Sequence, residues 1–246
     1  MVVSPDTAPV LPDLPDLWQS LGWQPTPTQQ AQYQALYQAI LQGNQQLNLT
    51  RITAPAEFLE KHLWDSLRGI QPWLGTPPQP LRLIDIGTGA GFPGVPLAIA
   101  CPDWQVTLLD STRKKITFLE RLTAELKLPL QTLVERAEQV GHLPQHRATY
   151  DLATVRAVAA ATVCAEYALP LLQVGGVAIL YRGQPETEDR QALQQAVAQL
   201  GGEVQQIETF VTPLSQSARH CIYLKKIALT PPLYPRPVGV PNQNPL

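Results

Sequence analysis

The chain has 246 residues, enough for one large domain with a small appendage, and 44% of them are hydrophobic, as in ordinary globular proteins. Its 18 basic and 20 acidic residues give a net charge of −2, which offers no electrostatic argument for a nucleic-acid partner. No apolar run predicts a membrane span and no N-terminal pattern predicts a secretory signal, while three widely spaced cysteines without metal-ligand spacing predict reduced thiols in a cytoplasmic protein.

The two ends of the chain are rich in proline. Residues 1–27 and 228–246 carry little charge, and their prolines disfavour long helices and central strands, which predicts an extended N-terminal extension and an extended C-terminal tail. Between them, apolar side chains recur at helical spacing, first up to Gly43 and then over 55–69. These helices predict a small helical N-terminal subdomain over residues 28–75, followed by a proline-rich linker.

From residue 81 onward, predicted strands and helices alternate. The strands cover residues 81–86, 106–109, 130–134, 151–155 and 177–181, and the helices cover 93–101, 112–127, 159–172 and 187–200. Alternation predicts a parallel sheet with helices on both faces, and two final strands near 204–211 and 219–226 predict an antiparallel hairpin. The α/β domain over residues 81–227 is therefore predicted to be Rossmann-like, with a seven-stranded, mostly parallel sheet and an antiparallel last strand.

The segment after the first predicted strand is rich in glycine. Asp85 near the end of that strand is followed by Gly87-Thr88-Gly89-Ala90-Gly91-Phe92-Pro93-Gly94, and the second strand ends in Asp110. Such a turn lets backbone N–H groups approach a nucleotide-like ligand, and an acid in the position of Asp110 can accept hydrogen bonds from a ribose diol. The two acids therefore predict an adenosine-bearing ligand. The alternatives are that Asp85 only stabilises the loop and that Asp110 caps the next helix.

The glycine-rich loop is compatible with two different cofactors. The run from Gly89 to Gly94 matches the G-x-G-x-x-G fingerprint, so an NAD oxidoreductase is one interpretation. S-adenosyl-L-methionine (SAM) is favoured because the glycines begin already at Gly87, the sheet ends in an antiparallel pair, and Asp85 would have no task beside a dinucleotide. Beside SAM, Asp85 could attract the cationic methionyl part or order a water. An RNA, small-molecule or protein substrate stays open, as does a non-catalytic RNA-binding module with a vestigial cofactor fold.

An ordered set of motifs is more specific than the glycine loop. The motifs are Asn48-Leu49-Thr50, His62-x-x-Asp65-Ser66, the run from Asp85 to Gly94, Leu109-Asp110-Ser111, Arg136-Ala137-Glu138 and Arg156-Ala157-Val158-Ala159. In these motifs the chain resembles the RsmG (GidB) family, the bacterial 16S rRNA guanine-N7 methyltransferases. The resemblance implies a class I SAM methyltransferase fold, SAM as cofactor, and N7 of a guanosine in the 530-loop of the small ribosomal subunit as the target. It also implies a cytoplasmic enzyme, with no membrane or metal partner, that acts as a monomer.

The residue pattern and the resemblance together give a candidate site. The cofactor-binding residues are Asp85, Gly87, Gly89, Gly91 and Phe92 in the loop, Asp110, Ser111 and Thr112 at the ribose, and Ala137 and Glu138 at the adenine. Arg156 is implied both as a cofactor contact and as the catalytic residue that aligns guanine, with a structural ion pair as its alternative. If RNA is the substrate, local basic patches must hold it, and the candidates are Arg51, Lys61 and Arg68 before the glycine loop and Arg113, Lys114 and Lys115 after it. His62 and Arg182 are further candidates for contact with the substrate. His62 can also be read as a buried, hydrogen-bonded side chain, and Arg182 stands where relatives generally carry lysine.

The implied reaction needs little acid–base chemistry. Guanine N7 presents a neutral lone pair, so no base has to remove a proton before it attacks the methyl group of SAM. Proximity and alignment can supply about 7–11 kcal/mol of such a barrier. The lack of a Ser-His-Asp or paired-carboxylate pattern therefore does not argue against the reaction.

Overall fold

The computed structural model describes residues 9–76, 79–183 and 190–246, and in these a seven-stranded sheet forms the centre of the molecule. The strands are β1 (Arg82–Ile86), β2 (Gln105–Asp110), β3 (Gln131–Val134), β4 (Tyr150–Arg156), β5 (Leu172–Arg182), β6 (Gly202–Val211) and β7 (Ala218–Lys226). Their order is β3-β2-β1-β4-β5-β7-β6, with β7 antiparallel to both neighbours and the other pairs parallel. The prediction of a mostly parallel sheet with a reversed last strand is confirmed.

Helices cover both faces of the sheet. They are α1 (Pro15–Gln19), α2 (Pro27–Gly43), α3 (Pro55–Phe58), α4 (Asp65–Arg68), α5 (Gly94–Ala100), α6 (Arg113–Glu125), α7 (Ala137–Val140), α8 (Ala161–Ala168), α9 (Arg190–Gln199) and α10 (Val240–Gln243). A π-helical segment, Leu59–Trp64, joins α3 to α4. One hydrophobic core lies between the sheet and the helices before residue 127, and a second lies on the opposite face under α7, α8 and α9. Among the described helices, none is long and apolar enough to cross a membrane.

Helix α2 shows how the N-terminal helices attach to the sheet domain. Thr26 and Gln29 form a capping box at its start, with Pro27 in the first turn. One face of α2 buries apolar side chains, and the Tyr33 hydroxyl donates to the carbonyl of Pro96 in α5 at 3.2 Å. Helix α2 therefore packs directly on α5 and α6, and its buried side chains belong to the same core as the sheet.

The N-terminal segment differs from the extended tail that its prolines predict. Residues 9–27 include α1, which buries Leu17 and Trp18, and Leu21 follows them into the core. The Trp18 ring stacks on Tyr33 of α2 with centroids 5.7 Å apart. Three large apolar side chains outweigh the helix-breaking effect of the prolines, because their burial against α2 compensates for ordering the chain. The predicted extension over residues 1–8 lies outside the described residues.

The C-terminal segment also differs from an extended tail. Residues 229–246, which we term the C-terminal strap, return across α7 and α8 and end in the short helix α10. The Arg147 guanidinium donates to the carbonyls of Thr230, Pro231 and Tyr234 at 2.8–3.2 Å. Proline prevents regular pairing but leaves its carbonyls free to accept hydrogen bonds, so a single arginine can anchor a proline-rich segment.

Several element boundaries also differ from the sequence prediction. Helix α8 ends at Ala168, four residues before the predicted end, and β5 begins at Leu172 instead of near residue 177. The short helix α7 was not predicted. Residues 187–189 of the predicted helix over 187–200, and residues 77–78 of the linker, lie outside the described part of the chain.

Candidate cofactor and substrate site

The candidate site lies where the direction of strand connection reverses. Strand β1 pairs with β2 on one side and β4 on the other, so the loops that follow these strands leave a crevice at their carboxyl ends. The backbone N–H groups of Gly87 and Thr88 both donate to the carbonyl of Leu109 at the end of β2. Gly87 has φ +70°, and a Cβ there would lie 2.5 Å from Val158 Cγ2. Only glycine fits at this position without strain.

Asp85 holds the glycine loop from beneath. Its side chain is fully buried, accepts the N–H of Gly94 at 2.9 Å through Oδ2 and accepts the Thr154 hydroxyl at 2.8 Å through Oδ1. Burial raises the pKa of the Asp85 carboxyl, and the hydrogen bonds from Gly94 and Thr154 oppose that shift. These contacts agree with the alternative interpretation of Asp85, in which its side chain stabilises the glycine loop. A direct contact between Asp85 and a ligand stays a prediction that this geometry does not favour.

Asp110 is placed at the mouth of the crevice. Its carboxylate accepts the N–H of Gly89 at 3.0 Å and that of Thr112 at 2.8 Å, while the Lys115 ammonium lies 3.9 Å away. These contacts orient the carboxylate, which is largely buried but lines the cavity beside it. A carboxylate has about four acceptor sites, so Asp110 can still accept hydrogen bonds from a diol.

A cavity of about 200 Å³ opens beside Asp110. Its lining combines apolar, acidic and neutral polar side chains with one arginine: Ile86, Gly87, Leu109, Asp110, Ser111, Glu135, Arg136, Ala137, Glu138, Val158, Ala159, Tyr167 and Asn242. Five predicted cofactor residues are brought together here, namely Gly87, Asp110, Ser111, Ala137 and Glu138. The other predicted cofactor residues, namely Asp85, Gly89, Gly91, Phe92, Thr112 and Arg156, do not line this cavity. We term it the nucleoside cavity, because Asp110 and Glu138, two of its three carboxylates, lie beside apolar walls and suit the diol and the amine of an adenosine.

Glu138 is the buried acid of the nucleoside cavity, with 2% of its surface exposed. Its Oε1 accepts hydrogen bonds from the Gly239 N–H at 3.0 Å, the Tyr167 hydroxyl at 3.3 Å and the Arg136 guanidinium at 3.4 Å. Burial alone would raise the pKa of Glu138, but the Gly239 N–H, the residue's own backbone and Arg136 outweigh it, so the pKa is lowered. Glu138 is therefore a charged acceptor, which suits an exocyclic amine.

A second, larger cavity of about 580 Å³ lies on the other side of the segment after β4. It is lined by Ile52, Lys61, His62, Asp65, Arg156, Ala157, Tyr181, Arg182, Gly183 and Arg219, and we term it the basic cavity. Ala157 lines the basic cavity and its neighbour Val158 lines the nucleoside cavity. The two cavities are therefore separated by the backbone between consecutive residues.

Arg156 faces the basic cavity but is also held by its surroundings. Its guanidinium donates to the Lys61 carbonyl at 3.1 Å and to Asp65 Oδ2 at 3.3 Å, and it lies 5.5 Å from the centre of the Phe92 ring. This ion pair with Asp65 corresponds to the structural role that was the alternative interpretation of Arg156. Lining the cavity is compatible with a contact to substrate, so the catalytic role of Arg156 stays a prediction.

His62 is buried beside Arg156 and is fixed as a neutral ring. It stacks on Phe92 with centroids 4.2 Å apart and an interplanar angle of 7°. The Arg156 guanidinium can only donate, so the 3.4 Å contact makes His62 Nδ1 the acceptor and leaves the proton on Nε2, which contacts Thr50 Oγ1 at 2.8 Å. Burial, followed by the charges of Arg156 and Lys61, lowers the pKa of His62 to about 3. His62 is therefore not a proton acceptor near neutral pH.

This low pKa predicts acid sensitivity. Unfolding restores the ordinary pKa of about 6.5, so below that pH the unfolded state binds a proton that the folded state excludes until about pH 3. We expect this one group to lower the free energy of unfolding by up to ~1.4 kcal/mol for each pH unit within that window. Urea unfolding at half-unit steps from pH 8 to 4 measures the slope, and the His62→Gln variant should lose less stability on acidification. Parallel curves for the two proteins would show that His62 titrates normally.

The remaining predicted basic residues separate into two groups. Arg182 lines the basic cavity, and its guanidinium donates to the Ala159 carbonyl at 2.6 Å. Arg113 and Lys114 are exposed at the start of α6 and line neither cavity. Two lining residues were not singled out from the sequence as site residues, namely Arg219 on β7 and Asn242 on the strap. Asp65 belongs to the His62-x-x-Asp65-Ser66 motif of the resemblance, whereas Asn242 has no local signal.

The residues of the nucleoside cavity fit the adenosine part of SAM. Asp110 can accept from the ribose, Glu138 can accept from the adenine amine, and Ile86, Leu109 and Val158 supply apolar walls. Among the described residues, no three His, Cys, Asp or Glu side chains gather into a group that could hold a metal ion.

Comparisons with known proteins agree with this geometry. The family model described as "rRNA small subunit methyltransferase G" matches residues 29–222. A protein of that name from Nostoc punctiforme is 59% identical over 241 residues, covering 96% of this chain and 99% of the relative. A Synechococcus elongatus protein of the same name is 57% identical over 235 residues, covering 95% and 97%.

Solved structures share the fold at low sequence identity. A putative transferase from Pyrococcus horikoshii superposes with a TM-score of 0.51 at 11% identity, covering 65% of this chain and 62% of that one. TYW2 of M. jannaschii, solved in complex with AdoMet, gives a TM-score of 0.50 at 13% identity, covering 66% and 77%. The fold is that of the class I methyltransferases.

Proposed function

Because the chain belongs to the rRNA small subunit methyltransferase G family, we propose that it transfers a methyl group from SAM to N7 of a guanosine in the 530-loop of 16S rRNA. The observation that carries this proposal is the juxtaposition of the two cavities. An acidic cavity suited to a nucleoside and a basic cavity suited to a polyanion meet across Ala157 and Val158. A group bound in one cavity can therefore reach a group bound in the other.

The nucleoside cavity would hold the adenosine end of the cofactor. Asp110 would accept from the ribose hydroxyls, Glu138 would accept from the adenine amine, and the Ala137 N–H would donate to a ring nitrogen. SAM supplies a methyl group on a positively charged sulfur, which is already a good leaving group. The protein therefore needs to orient this group more than to activate it.

The basic cavity would hold the guanosine and its neighbouring phosphates. Lys61, Arg156, Arg182 and Arg219 line it, which gives local positive charge to a protein whose net charge is −2. Arginine can pair with guanine O6 or clamp a phosphate in a bidentate manner. The positive charge of this cavity thus favours RNA binding locally, although the net charge of the protein does not.

The chemical step balances without a base. The N7 lone pair forms a bond to the methyl carbon, the carbon–sulfur bond breaks, and its electron pair stays on the sulfur. No proton leaves N7, and the positive charge moves from sulfur to the guanine ring. A neutral His62 beside the cavity is consistent with this step, because no group is required to take up a proton.

Arg156→Ala tests the alignment role. We expect kcat to fall about 100-fold while the Kd for SAM changes less than two-fold, because loss of one charged contact to the guanine weakens alignment and not cofactor binding. Single-turnover kinetics and calorimetry measure the two quantities. Since removing Arg156 leaves Asp65 without its cation, Arg156→Lys and thermal melts serve as controls for folding. A folded Arg156→Ala protein with normal kcat would remove Arg156 from the site.

The proposed function is tested with methyl-labelled SAM. The protein is incubated with unmethylated small ribosomal subunits and, in parallel, with naked 16S rRNA, and the labelled nucleotide is mapped. Label on N7 of one 530-loop guanosine is the expected result. SAM binding without label would keep the transferase and reject the target. Failure to bind SAM, with fluorescence evidence for bound reduced nicotinamide, would favour the oxidoreductase alternative.

A further inference from the structure

The C-terminal strap is firmly attached to the sheet domain. Glu166, whose side chain is fully buried, accepts the Arg236 backbone N–H at 2.7 Å and the Arg236 guanidinium at 2.6–3.1 Å. Arg147 adds its hydrogen bonds to three strap carbonyls, and His142 Nε2 contacts the Pro235 carbonyl at 2.7 Å. Breaking a buried, multiply hydrogen-bonded ion pair is costly. The strap is therefore a fixed part of the fold, although it lies beyond residues 29–222 that the family model matches.

The strap reaches the nucleoside cavity at two points. The Gly239 N–H donates to Glu138 Oε1 at 3.0 Å, and Gly239 has φ +85°, a left-handed conformation that glycine adopts without strain. Three residues later, Asn242 lines the cavity itself. Glu138 and Asn242 thus line the same cavity, although 104 positions separate them in the chain.

The chemistry of these two side chains matches an adenine edge. A carboxamide offers a donor and an acceptor side by side, which pairs in a bidentate manner with N7 and the N6 amine of adenine. The N6 amine has two hydrogens, so one can point to Asn242 and the other to Glu138. The charge on Glu138 and its three donors fix the acceptor in place before the ligand arrives.

We propose that the C-terminal strap completes the adenine end of the cofactor site, with Asn242 binding the adenine edge directly and Gly239 positioning Glu138. This inference rests on the proposed function, because it takes SAM as the ligand of the nucleoside cavity. It makes recognition of the adenine a joint property of the sheet domain and of a segment that follows the last strand.

The test compares Asn242→Ala with Asn244→Ala, a matched change two residues further along the strap at a side chain that does not line the cavity. Calorimetry with S-adenosylhomocysteine should give a Kd about 10-fold higher for Asn242→Ala and within two-fold of wild type for Asn244→Ala. With S-inosylhomocysteine, which lacks the N6 amine, the difference between Asn242→Ala and wild type should shrink. In steady-state assays, Asn242→Ala should raise the KM for SAM about 10-fold, whereas Asn244→Ala should leave it within two-fold of wild type.

The outcomes separate this inference from the proposed function. Equal affinities of wild type and Asn242→Ala for S-adenosylhomocysteine would overturn the role of Asn242 and leave the methyltransferase intact. An equal loss for both asparagine variants would overturn it too, because a general disturbance of the strap would then explain the effect. A wild-type protein that binds SAM but methylates no rRNA would refute the target alone. A wild-type protein that binds no SAM would refute both.

Discussion

Replacing Asp110 with asparagine is expected to weaken SAM binding about 100-fold. A hydrogen bond to a charged group contributes ~1.5–3 kcal/mol, and Asp110 is placed to accept two from the ribose. Asparagine keeps the shape but exchanges one acceptor oxygen for a donor and removes the charge, so one ribose hydrogen bond must reverse its direction and neither bond is charge-assisted. A loss of ~2.7 kcal/mol corresponds to two powers of ten in Kd. Calorimetric titration with S-adenosylhomocysteine measures it.

Two controls make the Asp110 result specific. Asp110 also accepts the N–H groups of Gly89 and Thr112, so the variant could loosen the glycine loop instead of losing the ribose. Asp103→Asn, an exposed change outside both cavities, should bind like wild type. The melting temperature of the Asp110 variant should stay within a few degrees of wild type. A normal Kd would mean that the ribose lies elsewhere.

Asp85→Ala is expected to cost stability more than any other change considered. Two buried donors, the Gly94 N–H and the Thr154 hydroxyl, would lose their acceptor, and each unsatisfied buried group costs ~1–3 kcal/mol. We expect the free energy of unfolding to fall by about 3–5 kcal/mol, a large part of the total for a domain of this size. Equilibrium denaturation at pH 7.5 provides the measurement.

Further variants at Asp85 distinguish its two interpretations, loop stabilisation and direct contact with the cofactor. If Asp85 only holds the loop, Thr154→Val combined with Asp85→Ala should be less destabilising than the sum of the single changes, because both remove the same hydrogen bond. If Asp85 contacts the cofactor, Asp85→Asn should lose SAM affinity while it remains well folded. Additive stability losses together with that loss of affinity would restore the direct contact predicted from the sequence.

The sheet could be predicted because its signals are local. Strands β1 and β2 are short, largely apolar segments that are buried after their first residue, and a helix of seven residues, α5, separates them. The strap and α1 could not be predicted in this way, since their order depends on partners far away in the chain. Arg147 and Glu166 carry no sign, in their own neighbourhood, that they will hold residues 229–246 in place.

In the candidate site, too, the residues with local sequence signals could be predicted and those that depend on distant contacts could not. Asp110 could be located because an acid at the end of a parallel strand lies at the sheet edge where ligands bind, whereas Glu138 was implied by the resemblance in the motif Arg136-Ala137-Glu138. Whether Asp85 faces a ligand or the interior depends on Thr154, one strand away, and no spacing rule reveals that contact. The neutral state of His62 likewise depends on burial and on Arg156, neither of which a motif encodes.

The backbone between the two cavities has a thermodynamic consequence. Ala157 has φ +55°, a conformation that non-glycine residues seldom adopt, so this partition is held in place by its surroundings. A ligand that shifts Val158 in one cavity would also shift the adjoining Ala157 at the boundary of the other. Linkage would then require reciprocity: whatever factor the cofactor applies to the affinity for RNA, RNA must apply to the affinity for the cofactor. The coupling free energy would be the same whichever ligand binds first.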